Sequence, residues 1–232
     1  MISIIIPTLN EEQQIKKLIP YLRSDSSCHL IQEIIVVDAH SSDRTTQVAA
    51  DLGANVVKSS QKSRSIQMNK GAGFARGSVL YFLHADTYPP NGFGKMIVDA
   101  VQDGNTFGCF RLRFDWKHWF LEANCWFTRF RTRFFRFGDQ SLFVTKTAFQ
   151  RISGFNECLR MFEDQEIISR LHHEGSFKLL PGTVVTSARK YRQNGPYRLQ
   201  LVYFTLYLLY ALGFKQEFLM RTYRELVSFP RV

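Results

Sequence analysis

The chain has 232 residues, 45% of them hydrophobic and 22% charged, long enough for one sizeable core and too apolar for a disordered or fibrous chain. Thirty Lys and Arg against 20 Asp and Glu give a formal net charge of +10, so an anionic partner is expected: a nucleotide diphosphate, nucleic acid or a membrane surface. Cys28, Cys109, Cys125 and Cys158 form no Cys-x-x-Cys pair, which argues against a zinc ribbon or a disulfide framework and makes a reducing cytoplasm the expected setting.

Ile2–Ile6 is an apolar, β-branched run closed by Pro7 and reads as a buried strand. Glu11–Leu22 then sets Ile15, Leu18, Ile19 and Leu22 on one helical stripe. Ile34–Val37 is a second buried strand, followed by a helix over Thr45–Leu52, a strand over Asn55–Val57, a helix over Arg64–Arg76 and a strand over Val79–Leu83. Such alternation predicts a mostly parallel α/β sheet with right-handed crossovers.

The second half is less regular. Strands are expected over Phe110–Phe114 and Leu142–Val144, an acidic helix start at Glu163, a strand or loop over Leu179–Thr186, and two helices from Tyr197 onward. Between Phe107 and Phe137 there are twelve aromatics and seven Lys or Arg against two acids. Trp116, Trp119, Phe120, Trp126, Phe127, Phe130 and Phe134 either stack on an acceptor, with Arg129, Arg131 and Arg133 near its phosphate, or fill the core while the arginines face water. Leu201–Phe214 is almost continuously apolar but too short for a spanning helix, which needs about 20 residues. A buried helix, a homodimer contact and an interfacial anchor stay open for 197–226.

In an open parallel sheet, ligands bind beyond the carboxyl ends of the strands. The residues after the strands here are Thr8, Asn10 and Glu11, then Asp38, then His84 and Asp86. In extended chain His84 and Asp86 would face one side, with Ala85 turned away. One carboxylate with a diphosphate suits Mg²⁺ or Mn²⁺; the rival reading has Asp86 capping the turn before Pro89-Pro90. Asp38 either accepts from a nucleobase or ribose or stabilises its own loop. Glu163 and Asp164 either complement a helix dipole or supply a general base. Lys62 and Arg64 are phosphate ligands or solvated charge.

These segments resemble family-2 glycosyltransferases of the GT-A fold. The resemblance rests on Ser3-Ile4-Ile5-Ile6-Pro7-Thr8-Leu9-Asn10-Glu11-Glu12, Val36-Val37-Asp38 with Ser41-Ser42-Asp43, Phe82-Leu83-His84-Ala85-Asp86-Thr87, Gly154-Phe155-Asn156-Glu157 and Phe162-Glu163-Asp164, in that order. It covers roughly residues 1–175, and is nearest to a bacterial subgroup with His-Ala-Asp-Thr at the metal motif and Gly138-Asp139-Gln140 further on. The usual Asp-x-Asp motif has His84 in its first position here.

The resemblance implies a GT-A domain over 1–190, with a nucleotide-binding half (1–100), an acceptor half (101–190) and a packed helical tail over 191–232. It implies an inverting, metal-assisted transfer from a UDP- or GDP-type sugar to a hydroxyl acceptor, lipid-linked acceptors included. Pro7, Thr8, Asn10, Glu11, Asp38, Arg64, Asn69, His84, Ala85 and Asp86 would hold the nucleotide sugar. Asp86 with His84 would hold Mg²⁺ or Mn²⁺. Asp164, beside Glu163, would act as base, with Gly138, Asp139, Gln140 and Trp116 on the acceptor side. The expected location is the cytoplasm or the inner face of its membrane, and nucleic acid is not an expected partner. The rival classes are a sugar nucleotidyltransferase, which would release pyrophosphate, and a non-catalytic basic module for membrane or nucleic acid, which leaves the strand-end acids unexplained.

Overall fold

The computed structural model describes residues 1–130 and 140–227. Ile2–Thr8 (β1), Ile31–Asp38 (β2), Asn55–Lys58 (β3) and Val79–Phe82 (β4) pair in parallel in the order β3-β2-β1-β4. Side chains alternate across β1: Ile2, Ile4 and Ile6 enter one apolar layer, Ile5 the other. All are fully buried, each contributing about 1.5–3 kcal/mol relative to exposure.

β1 runs two residues past its expected end, through Pro7. The Ile5 carbonyl accepts the Leu83 N–H at 3.0 Å on the β4 side. Pro7, two residues on, turns its nitrogen the same way, beyond the last residue of β4, so its missing N–H costs no ladder bond. The Thr8–Asp38 register keeps the two exits level.

The sheet continues through Leu142–Thr145 (β7), antiparallel to β4, and Phe107–Phe114 (β6), antiparallel to β7. Phe177–Thr186 (β8) is parallel to β6, and Thr87–Tyr88 (β5) is antiparallel to it at the edge. β8 is a strand despite Pro181-Gly182, because a register shift between Cys109 and Arg111 absorbs the irregular pair. At Gly108 a Cβ would lie 2.0 Å from the Lys178 carbonyl oxygen, so only glycine lets β6 and β8 approach.

Glu12–Arg23 (α1) and Thr45–Asp51 (α2) cover one face of the sheet, and Arg64–Phe74 (α3) the other. The first face also carries Phe93–Gln102 (α4), a helix the sequence reading did not anticipate, which buries Phe93, Ile97 and Ala100. Lys146–Arg151 (α6) and Glu163–Leu171 (α7) complete the second face. Of the aromatic-basic segment, Phe107 and Phe110 fill the core, but Trp119 and Trp126 in Trp119–Trp126 (α5) are 67% and 48% exposed, so core filling accounts for only part of it.

After β8 come Arg189–Asn194 (α8), Pro196–Ala211 (α9) and Gln216–Leu226 (α10). Leu199, Val202 and Leu206 meet Leu219 and Val227 in a cluster separate from both sheet layers. Among the described residues, no helix is long and apolar enough to cross a membrane.

Candidate active site

The exits of β1 and β2 hold each other. Thr8 Oγ1 donates to Asp38 Oδ1 at 3.3 Å, the Ser41 N–H donates to Asp38 Oδ2 at 2.9 Å, and Ser41 Oγ donates to Oδ1. Asp38 is 3% exposed, and its carboxylate is occupied by its own loop, which favours the loop-stabilising reading. Asn10, at φ 55°, accepts the Ser42 N–H on its Oδ1 at 2.8 Å and donates its own backbone N–H to Ser41 Oγ at 2.8 Å. Asp43 accepts the Thr45 and Glu12 N–H groups at 3.0 and 3.2 Å, joining the starts of α1 and α2.

His84–Thr87 departs from the extended geometry expected for it. The Thr87 N–H donates to the His84 carbonyl at 3.1 Å, closing a turn. The same-side argument for His84 and Asp86 therefore fails, because period-two alternation needs extended chain. The turn still presents the Asp86 carboxylate to the cleft, where Arg189 lies 3.4 Å from it. Arg189 also donates through both terminal nitrogens to Glu11, one of these bonds at 3.1 Å. One guanidinium thus joins the carboxylates at the ends of β1 and β4. Burial holds Glu11 above the usual carboxylate range, outweighing Arg189, whereas Arg189, despite burial, is held more firmly protonated by Glu11.

Glu163 and Asp164 open α7 behind Phe162, whose φ of 65° sets the entry. Glu163 is 4% exposed; burial raises its pKa against the opposing charges of Arg64 and Lys190, which favours the protonated form. Asp164 lines a small cavity of about 10 Å³ with Pro7, Met68, Phe82 and His84. That space admits at most one water. Burial, with Arg64 and Lys190, pushes His84 down and keeps the imidazole neutral despite Asp86.

Other expected residues fall elsewhere. The Asn69 amide is taken up by the 154–157 turn: its Nδ2 donates to the Phe155 carbonyl and Glu157, both at 2.9 Å, and its Oδ1 accepts the Phe155 N–H at 2.8 Å. Ala85 is buried at 5% exposure. Gly138 and Asp139 lie outside the described residues, as do Arg131, Arg133 and Phe134. Gln140 is buried and accepts a long contact from Cys109 Sγ at 3.6 Å. Trp116 lies under the Arg192 guanidinium, 5.8 Å from its ring centroid.

Among the described residues no three His, Cys, Asp or Glu side chains gather as a metal cage. One carboxylate beside a neutral imidazole instead fits Mg²⁺ or Mn²⁺ carried with a nucleotide, since such ions keep waters and share phosphate oxygens.

The sequence profile described as glycosyl transferase family 2 matches residues 3–159, more than half the chain and the whole run from β1 to the turn before α7. The chain belongs to that family. A dolichol-phosphate mannosyltransferase from Pyrococcus furiosus is 32% identical over 111 residues, 45% of this chain and 31% of the relative. A glucosyl-3-phosphoglycerate synthase from Petrotoga mobilis is 37% identical over 87 residues, covering 37% and 27%. The matched stretches thus span less than a third of these curated relatives. Among solved structures, a Pyrobaculum calidifontis mannosyltransferase in complex with GDP-Man and Mn²⁺ superposes with a TM-score of 0.71 at 16% identity, over 90% of this chain and 61% of that one. The TarS protein of S. aureus in complex with UDP-GlcNAc gives 0.62 at 16% identity, over 80% and 58%. Both likenesses are of fold, and the fold is GT-A.

Sequence reasoning missed Arg189 and Lys190. The signal was available: they follow the β8 exit, as the other candidates follow theirs. Pro181-Gly182 obscured that strand and with it the rule.

Proposed function

We propose that the protein is a nucleotide-sugar glycosyltransferase of the His-Ala-Asp-Thr subgroup, transferring a sugar to a hydroxyl acceptor with inversion. The supporting observation is that Glu11 and Asp86 meet at one strand-end edge, joined through Arg189, with His84 and Asp164 lining the adjoining cavity and Arg64 and Lys190 acting on His84. Family membership favours glycosyl transfer over the nucleotidyltransferase and non-catalytic readings.

In this reading the nucleotide lies over Pro7, Thr8, Glu11 and the Asp38 loop, with Arg64 near its phosphates. Asp86, with His84, would hold Mg²⁺ or Mn²⁺, which when bound neutralises charge on the departing diphosphate. The acceptor oxygen forms its bond to the anomeric carbon as the bond from that carbon to the diphosphate oxygen breaks. Asp164 takes the hydroxyl proton, beside Glu163, whose pKa burial raises. Residues 1–100 serve as the nucleotide half, 101–190 as the acceptor half with Gln140 and Trp116, and 191–232 as the tail. The setting is cytoplasmic, where nucleotide sugars are used.

A thermal-shift panel of UDP- and GDP-sugars with and without Mn²⁺ tests the reading. One donor class should stabilise the protein in a metal-linked way, by about 2.7 kcal/mol at 100 times its Kd. Absence of stabilisation by every nucleotide sugar would overturn it.

A further inference from the structure

α9 and the turn after it contain no charged residue from Leu199 to Phe214, bounded by exposed Arg198 and Lys215. One face of this apolar helix is used: Leu199, Val202 and Leu206 are buried against α10. The other face points outward. Tyr197, Leu201, Phe204, Leu208 and Leu212 recur at helical spacing and are 53%, 65%, 63%, 50% and 67% exposed. Phe214 and Phe218, 45% and 47% exposed with rings 5.3 Å apart, extend the stripe at one end. Trp119 extends it at the other, 6.2 Å from the Tyr197 ring. A soluble surface rarely exposes a contiguous apolar patch of more than a few hundred Å².

Charge selects the occupant. From Ala188 to Val227 there are seven Lys and Arg against two acids, Glu217 and Glu225; with Arg189 paired to Glu11, Lys190 beside His84 and Arg192 paired to Asp115, this leaves Arg198, Lys215, Arg221 and Arg224 against the two acids. A second copy laid on this face would bring that excess against itself, and like charges across an interface are unfavourable. An anionic bilayer complements it, each basic residue near such a surface being worth about a fivefold gain in binding. Exposed Trp and Tyr beside an apolar stripe suit the headgroup boundary, and the helix is too short to do more than lie there.

We propose that the outward face of α9, with Trp119 and Phe218 at its ends, docks on an anionic lipid surface. Docking there bears on the cleft, because the Phe162 ring, next to Glu163, stacks on Tyr210 of α9 at 4.9 Å. The bound bilayer then lies on the far side of the helix that backs the α7 entry. This association does not depend on the transferase reading.

Vesicle flotation tests it, comparing pure phosphatidylcholine with phosphatidylcholine containing about one third phosphatidylglycerol. The protein should float with the anionic vesicles at low salt and lose most of that binding in high salt. Leu201→Ser/Phe204→Ser should reduce it at least tenfold with an unchanged melting temperature, since both side chains are exposed; Arg198→Gln should reduce it about fivefold. Absence of flotation, equal flotation with neutral vesicles, or a dimer in light scattering that the Leu201→Ser/Phe204→Ser variant dissolves would each overturn the proposal.

Discussion

Replacing Arg189 by Ala separates two things that its guanidinium does at once. It pairs with Glu11 and Asp86, and it occupies the place that the proposed divalent cation would take. The side chains of Arg189, Glu11 and Asp86 are 29%, 16% and 22% exposed, between a surface pair worth about 0–1 kcal/mol and a buried pair whose breakage costs about 3–5. A loss of about 2 kcal/mol is therefore expected, a fall of about 4–8 °C in melting temperature for a domain of this size. The same free energy reappears in cation binding. A divalent ion entering the wild-type cleft must displace the guanidinium, so Mn²⁺ alone should bind Arg189→Ala about 30-fold more tightly. Thermal melts across a Mn²⁺ titration read both quantities. A variant that melts like the wild type, or binds Mn²⁺ more weakly, would refute the assignment of Arg189 as the resident cation.

Glu33 gives a stability prediction away from the cleft. Its side chain, 5% exposed, accepts from Ser3 Oγ at 2.8 Å, the Arg76 N–H at 2.7 Å and Arg76 Nε at 2.8 Å. Glu33→Gln turns one acceptor into a donor facing donors and should cost about 2 kcal/mol in chemical denaturation. Burial works to raise the Glu33 pKa, but those donors outweigh it and the pKa is lowered from 4.5. The stabilisation is therefore complete above that value and lost as pH falls through the lower native one, a loss that Glu33→Gln should not show in melts between pH 6 and 3. Asp86→Ala should weaken Mn²⁺-dependent donor binding while leaving any metal-independent binding in place, as calorimetry with and without Mn²⁺ would read.

The parallel half of the sheet was legible because its strands are short apolar runs, Ile- and Val-rich in β1 and β2, set between helical stripes. Their alternation across two layers puts Thr8 and Asp38 level at one edge. What was not legible came from the chain's exceptions. Phe93, Ile97 and Ala100 have helical spacing, but Pro89-Pro90, Gly92 and Gly94 disguised the start of α4. His84 and Asp86 were placed at the right edge by the wrong geometry, since a hydrogen-bonded turn replaces extended chain. Asp38 and Asn69 carry the right chemistry for a ligand, yet their polar atoms hold neighbouring loops. Arg189 needed a partner 178 residues away, which no local pattern shows.

The account stands on the edge shared by Asp86, Glu11 and Asp164 being a single transferase centre. Asp164→Asn, assayed with the donor that the thermal panel selects and a panel of hydroxyl acceptors, tests this most directly. Calorimetry should give donor binding close to wild type, while release of the nucleoside diphosphate falls by about 10²–10⁴-fold, the usual worth of a positioned base. Turnover equal to wild type in Asp164→Asn would contradict the assignment of the base and of the reaction at that edge.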